Sequence, residues 1–159
     1  MTIYEAPLDD INFVLEKFCR LNDITSLPHF ANVDTSVVGE MLSEAARFFE
    51  NQFAPLNSVG DKVGSHRNAD GSVTTPPGFK EAYQAYVEAG WGAVGFDPGL
   101  GGGGFPWVVN IAIQEVMNSA NMALAMAPLL NTKGMPSTRK WRLAISSAAW
   151  PAGSSFPRK

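Results

Sequence analysis

Few residues of this 159-residue chain have types and spacings that could do chemistry. Gly99-Leu100-Gly101-Gly102-Gly103-Gly104 matches the G-x-G-x-x-G spacing and runs into an apolar segment that begins at Pro106. Between a strand and a helix, such glycines let the backbone approach a dinucleotide pyrophosphate, which the N–H groups at the helix start then hold. That setting is absent here. Only the short Ala93 to Phe96 run precedes the motif, no acidic residue lies about twenty positions beyond Gly104 to take a ribose hydroxyl, and no Gly-Lys-Ser/Thr occurs for a P-loop. A structural turn is the stronger reading. Glu115 is the only acid in the apolar segment, and a carboxylate in apolar surroundings is a candidate for acid/base work, yet no partner is visible. His29 and His66 fall in loops, without the spacing of a triad or a metal site. Cys19, the single cysteine, lies on an apolar stripe where a buried, inert thiol is expected, and it excludes an internal disulfide. Residue types alone name no reaction.

The elements that would position these groups read as helices. Pro7 suits a first helical turn, Asp9 and Asp10 favour a helix N-terminus, and Ile11, Val14, Leu15, Phe18 and Cys19 repeat at three- and four-residue spacing, which predicts a helix over 7–21. Asp34 is a good N-cap, with Val33 and Val38 able to staple across it. A broad apolar face through Val37, Val38, Met41, Leu42, Ala45, Phe48, Phe49 and Phe53 follows until Pro55. The charges of that helix, Glu40, Glu44, Arg47 and Glu50, read as its solvated face. From Leu56 to Pro77 the chain is rich in Gly, Ser, Asn, Asp and Thr, with turn chemistry at Ala69-Asp70-Gly71-Ser72, and reads as a surface loop. Phe79, Ala82, Tyr83, Tyr86 and Val87 restore a helical period over 78–89, closed by Gly90. The segment from Pro106 is apolar on nearly all sides, as in helices buried within large proteins, and Ser119-Ala120-Asn121 is placed to break it and cap a further helix from Met122. The fold class that follows is all-α.

Composition agrees with a packed domain: 45% of residues are hydrophobic, and 10 Phe, 4 Trp and 3 Tyr supply apolar area enough to oppose disorder. The length is that of one ordinary domain. The apolar stretch 108–130 contains Glu115, Asn110, Asn118, Asn121 and Pro128, which argues against a membrane span. The start MTIYEAPLDD lacks a basic region followed by an apolar one, so a cytoplasmic or organellar-matrix protein is the default expectation. The net charge of -3 hides a division. Residues 1–132 hold all fifteen acidic and six basic residues, a balance of −9, whereas 133–159 hold six basic residues and no acid. That basic stretch is rich in Ser and Pro and has no sustained period, so it reads as an ordinary flexible, disordered terminus or as a tail never selected to pack on the domain before it, in preference to a basic arm for nucleic acid or acidic lipid. Arg139-Lys140-Trp141-Arg142 is too short to argue for nucleic acid.

Five blocks in order carry a resemblance: Tyr4-Glu5-Ala6-Pro7-Leu8-Asp9-Asp10-Ile11-Asn12-Phe13-Val14-Leu15; Glu44-Ala45-Ala46-Arg47-Phe48 running to Ala54-Pro55-Leu56-Asn57; Thr74-Thr75-Pro76-Pro77-Gly78-Phe79; Gly90-Trp91; and Ser119-Ala120-Asn121-Met122-Ala123. Over residues 3–132 the chain resembles the N-terminal helical domain of acyl-CoA dehydrogenases, in the long-form subgroup that includes 3-methylmercaptopropionyl-CoA dehydrogenases. The resemblance implies a flavoprotein that oxidises an acyl-CoA thioester at its α and β carbons. FAD is its hydride acceptor and electron-transfer flavoprotein or a similar acceptor its redox partner. It implies that the catalytic glutamate and most flavin contacts lie in domains this sequence does not contain, so the chain is expected to be a truncated, inactive fragment that does not retain FAD. It implies a structural role for the Gly99 to Phe105 turn, and it places Leu124, Ala125 and Pro128 at the far end of the acyl pocket. Beyond Thr132 the resemblance stops. One codon choice for Gly134-Met135-Pro136-Ser137-Thr138, read from the third base of the glycine codon, would give His-Ala-Val-Asp-Ala, close to what the family carries there, so the expectation for 133–159 is a non-homologous tail arising from a frameshift. The expectation from another class is a non-catalytic helical interaction module that docks on a partner protein.

Overall fold

Ala6 and Pro7 lead into α1 (Leu8–Phe13), with Asp9 and Asp10 at the positive end of its dipole. The computed structural model describes residues 4–133. The single helix expected over 7–21 is interrupted: Val14–Phe18 forms a π-helical turn in which the Cys19 N–H donates to the Val14 carbonyl at 3.0 Å. Arg20 then takes a left-handed φ of 53°, and a short α2 (Leu21–Thr25) starts afresh. The wider turn breaks the three-four register. Ile11, Leu15 and Leu21 are buried, Cys19 is only half-buried at the edge of the core, and Phe13, Val14 and Phe18 are exposed.

Asp34 caps α3 (Thr35–Gln52) as expected, its carboxylate accepting from the Ser36 N–H at 2.8 Å. The helix buries Val38, Leu42, Ala45, Ala46 and Phe49 but leaves Val37, expected on the same face, exposed. Phe49 and Phe53 are fully buried, 5.1 Å apart at near-perpendicular ring planes. Glu50 departs from the solvated reading, since its Oε1 accepts from the Ala6 N–H at 2.8 Å and ties the N-terminal segment to α3.

Residues 56–77 are not one loop. Asn57–Val63 forms α4, and His66–Arg67 (β1) pairs antiparallel with Val73–Thr74 (β2). The expected turn at 69–72 closes this hairpin, with Asp70 accepting from the Ser72 N–H at 2.9 Å. Turn-forming residues masked a helix that packing decides: α4 lies against a later helix, and Gly60 brings its backbone to the ring of Phe79, where a Cβ would sit 2.7 Å from Cζ.

After α5 (Phe79–Glu88), α6 (Trp107–Ala120) packs across α3 and buries Val109, Ile113, Val116 and Met117. The phenol of Tyr4 donates to the Val116 carbonyl at 3.1 Å, and burial pushes its pKa up. The last described element is α7 (Met122–Lys133), which folds back on α6 and also meets α4 and α5. The architecture is all-α apart from the hairpin. No helix among the described residues is long and apolar enough to cross a membrane. The basic stretch 134–159 lies outside the described residues.

Candidate functional site

The glycine motif is decided by its N–H groups. Gly99 N–H donates to the Asp97 carboxylate at 2.7 Å, Gly101 to the Pro98 carbonyl at 3.0 Å and Gly102 to the Asp97 carbonyl at 3.1 Å. Gly103 donates to Ala93 at 2.9 Å and Gly104 to Phe96 at 2.8 Å. Every glycine N–H is thus spent inside the turn. A Cβ on Gly102 would lie 2.2 Å from the Phe96 carbonyl oxygen, so glycine serves close backbone approach to the chain's own 93–97 segment. A dinucleotide pyrophosphate needs those donors free, so this loop does not fit FAD or a nicotinamide cofactor.

The other candidates are dispersed. Glu115 sits on the exposed side of α6, so the apolar surroundings expected for it are not there. His66 is exposed on β1. His29 is exposed, edge-on to Phe30 at 4.8 Å, beside a cleft of about 130 Å³ that it shares with Gly103 and Gly104 and that no carboxylate lines. Among the described residues no three His, Cys, Asp or Glu side chains gather as a metal site.

What the fold does assemble lies on α7. Asn121 is extended, 1% exposed, and bridges two elements: its Oδ1 accepts from the Leu124 N–H at 3.0 Å, and its Nδ2 donates to the Phe53 carbonyl at 3.1 Å. It is therefore both the N-cap expected from the sequence and a tether to the end of α3, a role that residue spacing does not reveal. This bridge sets the direction in which Leu124, Ala125 and Pro128 leave the α6–α7 corner. All three are buried. Pro128 stands inside α7 and offers no N–H to the Leu124 carbonyl one turn back. Leu124 also faces an open groove of about 580 Å³ between α4, the hairpin, α5 and α7, which Ala125 and Pro128 do not line. The hairpin and α4 walls of this groove come from the stretch expected to be plain loop.

The described residues form an all-α domain with a structural glycine turn and an apolar helical groove. No family model matches the chain. It is 35% identical over 127 residues to the 3-methylmercaptopropionyl-CoA dehydrogenase of Ruegeria pomeroyi, covering 80% of this chain and 21% of that protein. It is 29% identical over 160 residues to the broad-specificity linear acyl-CoA dehydrogenase FadE5 of Mycobacterium tuberculosis, covering 94% of this chain and 26% of that protein. The chain belongs to the acyl-CoA dehydrogenase family, as a segment spanning about a fifth to a quarter of the length of these relatives.

Proposed function

We propose that the chain is the helical N-terminal part of an FAD-dependent acyl-CoA dehydrogenase. It forms one wall of the acyl pocket through Leu124, Ala125 and Pro128 and supplies no catalytic base of its own. The observation that carries this reading is the 127-residue match to a relative named for acyl-CoA dehydrogenation, laid over a helical fold in which those three residues are fixed by one capped corner. In the whole enzyme the substrate is an acyl-CoA thioester, the redox partner is electron-transfer flavoprotein or a similar acceptor, and the compartment is the cytoplasm. FAD would accept a hydride from the acyl β carbon. The glycine turn does not fit its pyrophosphate, since the glycine N–H groups are all engaged within the chain, and no step is assigned to the residues described here. Residues 1–132 are the domain and 133–159 a basic segment appended to it.

The test is flavin content and acyl-CoA-dependent dye reduction on the purified 159-residue chain. A colourless protein without turnover is the expected result. Stoichiometric flavin with turnover would overturn the inactive-fragment reading.

A specific observation favours a second reading, the non-catalytic interaction module. Met122, Met126 and Leu130 recur at four-residue spacing along α7 and are 67%, 48% and 61% exposed, an apolar stripe suited to covering by another surface.

A further inference from the structure

The outward face of α7 carries no charge. No ionisable side chain lies between Glu115 on α6 and Lys133 at the end of α7. Met122, Ala123, Met126, Ala127 and Leu130 are exposed, while Leu124, Ala125 and Pro128 turn inward. At about 100° per residue, the five exposed positions fill one continuous arc of about 140°. The rest of the domain is strongly acidic, with a balance of −9 over residues 1–132. A basic partner would be drawn to that acidic surface and not to this face. Two copies of the domain, in contrast, repel wherever they present charge, and they can approach closely where neither presents any.

The large residues of the face form a row that is symmetric end to end. Met122 and Leu130 stand four residues to either side of Met126. A two-fold axis beside Met126 therefore sets two α7 helices antiparallel, with Met126 against its own copy and Met122 against Leu130 of the second copy. Ala123 and Ala127 beside the row let the helix axes approach to about 8 Å, and the unbranched methionine side chains adapt to the gap that remains.

We propose that this face pairs with a second copy of the chain, α7 against α7, about a two-fold axis at Met126. The proposal rests on the reading of the stripe as a surface to be covered, and it names what covers it. The twelve residues of α7 give a contact about 18 Å long and one helix wide. That is short of the roughly 800 Å² per partner of a standard interface, so the pair is weak and exchanges with monomer.

The test is sedimentation equilibrium of the full chain. The native chain should dimerise with a constant between about 10 μM and about 1 mM, unchanged or tightened in about 0.5 M salt, which screens repulsion between the acidic domains. Met126→Glu and Met126→Lys should each weaken the dimer by about tenfold or more, because each sets like charges face to face. An equimolar mixture of the two should recover a heterodimer, since only an axis at this position brings residue 126 to itself. Met126 is half-exposed, so circular dichroism and melting temperature should be unchanged in both. Should either variant fail to fold, cysteines decide: in a Cys19→Ser background, Met122→Cys mixed with Leu130→Cys should cross-link on mild oxidation, and neither alone should. Self-linking of each without the mixed product would mean parallel helices and would overturn the pairing. So would a monomer throughout, or association indifferent to position 126. Association lost in salt would point instead to the basic stretch 133–159 of one copy on the acidic domain of another, and would also overturn it. If the chain is a monomer, a fluorescent apolar probe whose binding Met126→Glu removes would leave the stripe reading standing without the second copy, and no probe binding would fail both.

Discussion

Replacing Asn121 tests how α7 is held. The side chain performs two functions with two atoms: Oδ1 caps α7 at the Leu124 N–H, and Nδ2 is a second donor to the buried Phe53 carbonyl, which also accepts from the Leu56 N–H at 3.1 Å. Loss of an N-cap costs about 1 kcal/mol, and loss of one hydrogen bond to a carbonyl that keeps its other donor costs about 0.5–1.5 kcal/mol. Asn121→Ala should therefore destabilise the chain by about 1.5–2.5 kcal/mol. Asn121→Ser keeps a cap oxygen but is too short to reach Phe53, so it should recover about 1 kcal/mol of that loss. Urea unfolding with an unchanged m-value gives both numbers, and hydrogen exchange at the Leu124 amide separates them, because Ser should keep that amide protected and Ala should not. A cost below about 1 kcal/mol for Ala, or equal costs for Ala and Ser, would refute the two-function account.

Gly102→Ala should cost about 3 kcal/mol or more in thermal unfolding because its Cβ meets the Phe96 carbonyl, whereas Gly39→Ala, inside α3 with nothing within 4 Å, should gain about 0.5–1 kcal/mol. Hydrogen bonds from Ser36 and Ser72 hold the carboxyls of Asp34 and Asp70 below the usual carboxylate range. Their stabilisation is therefore present above the unfolded value near pH 3.9 and is lost as pH falls through the lowered folded-state values. The Asp34→Asn/Asp70→Asn pair should flatten the acid limb of a stability–pH curve, and an unchanged limb would count against these bonds. The exposed α7 stripe predicts concentration-dependent association in light scattering, reduced by Met126→Glu; a monomer at all dilutions would rule out an adhesive stripe.

The helices most legible in the sequence are those whose local signals and packing agree. Asp34 before a broad apolar face gives α3, and the Asn121 break gives α7, because capping is local chemistry. Two other segments were misread for opposite reasons. In 57–63, Gly, Asn, Ser and Asp oppose a helix that tertiary contact with α7 imposes. In 14–18, a good helical period is overridden by the π-turn, which no spacing rule anticipates. Burial of Leu124, Ala125 and Pro128 could be read from the apolar run, but the division that turns only Leu124 toward the groove could not. A helix apolar on every side carries no mark of which face will be covered.

That ambiguity explains why polar groups, few as they are, set the geometry of the site. Burial of Val109, Ile113, Val116 and Met117 seats one face of α6 in the core, but apolar contact is non-directional and does not fix the helix's position along its own axis. Directional bonds at the two ends do. Before α6, the N–H groups of Gly103 and Phe105 are tied to Ala93 and Val94 at 2.9 and 3.1 Å; after it, Asn121 is tied to Phe53 at 3.1 Å. The glycine turn and the asparagine corner therefore act as a pair of stops, and α7 leaves the second at an angle that follows from both. A change in the glycine turn should then be felt at Leu124, more than a helix length away, through the axial position of α6. Gly102→Ala should loosen exchange protection at the Leu124 amide, while Gly39→Ala, equally remote but outside both stops, should leave it unchanged.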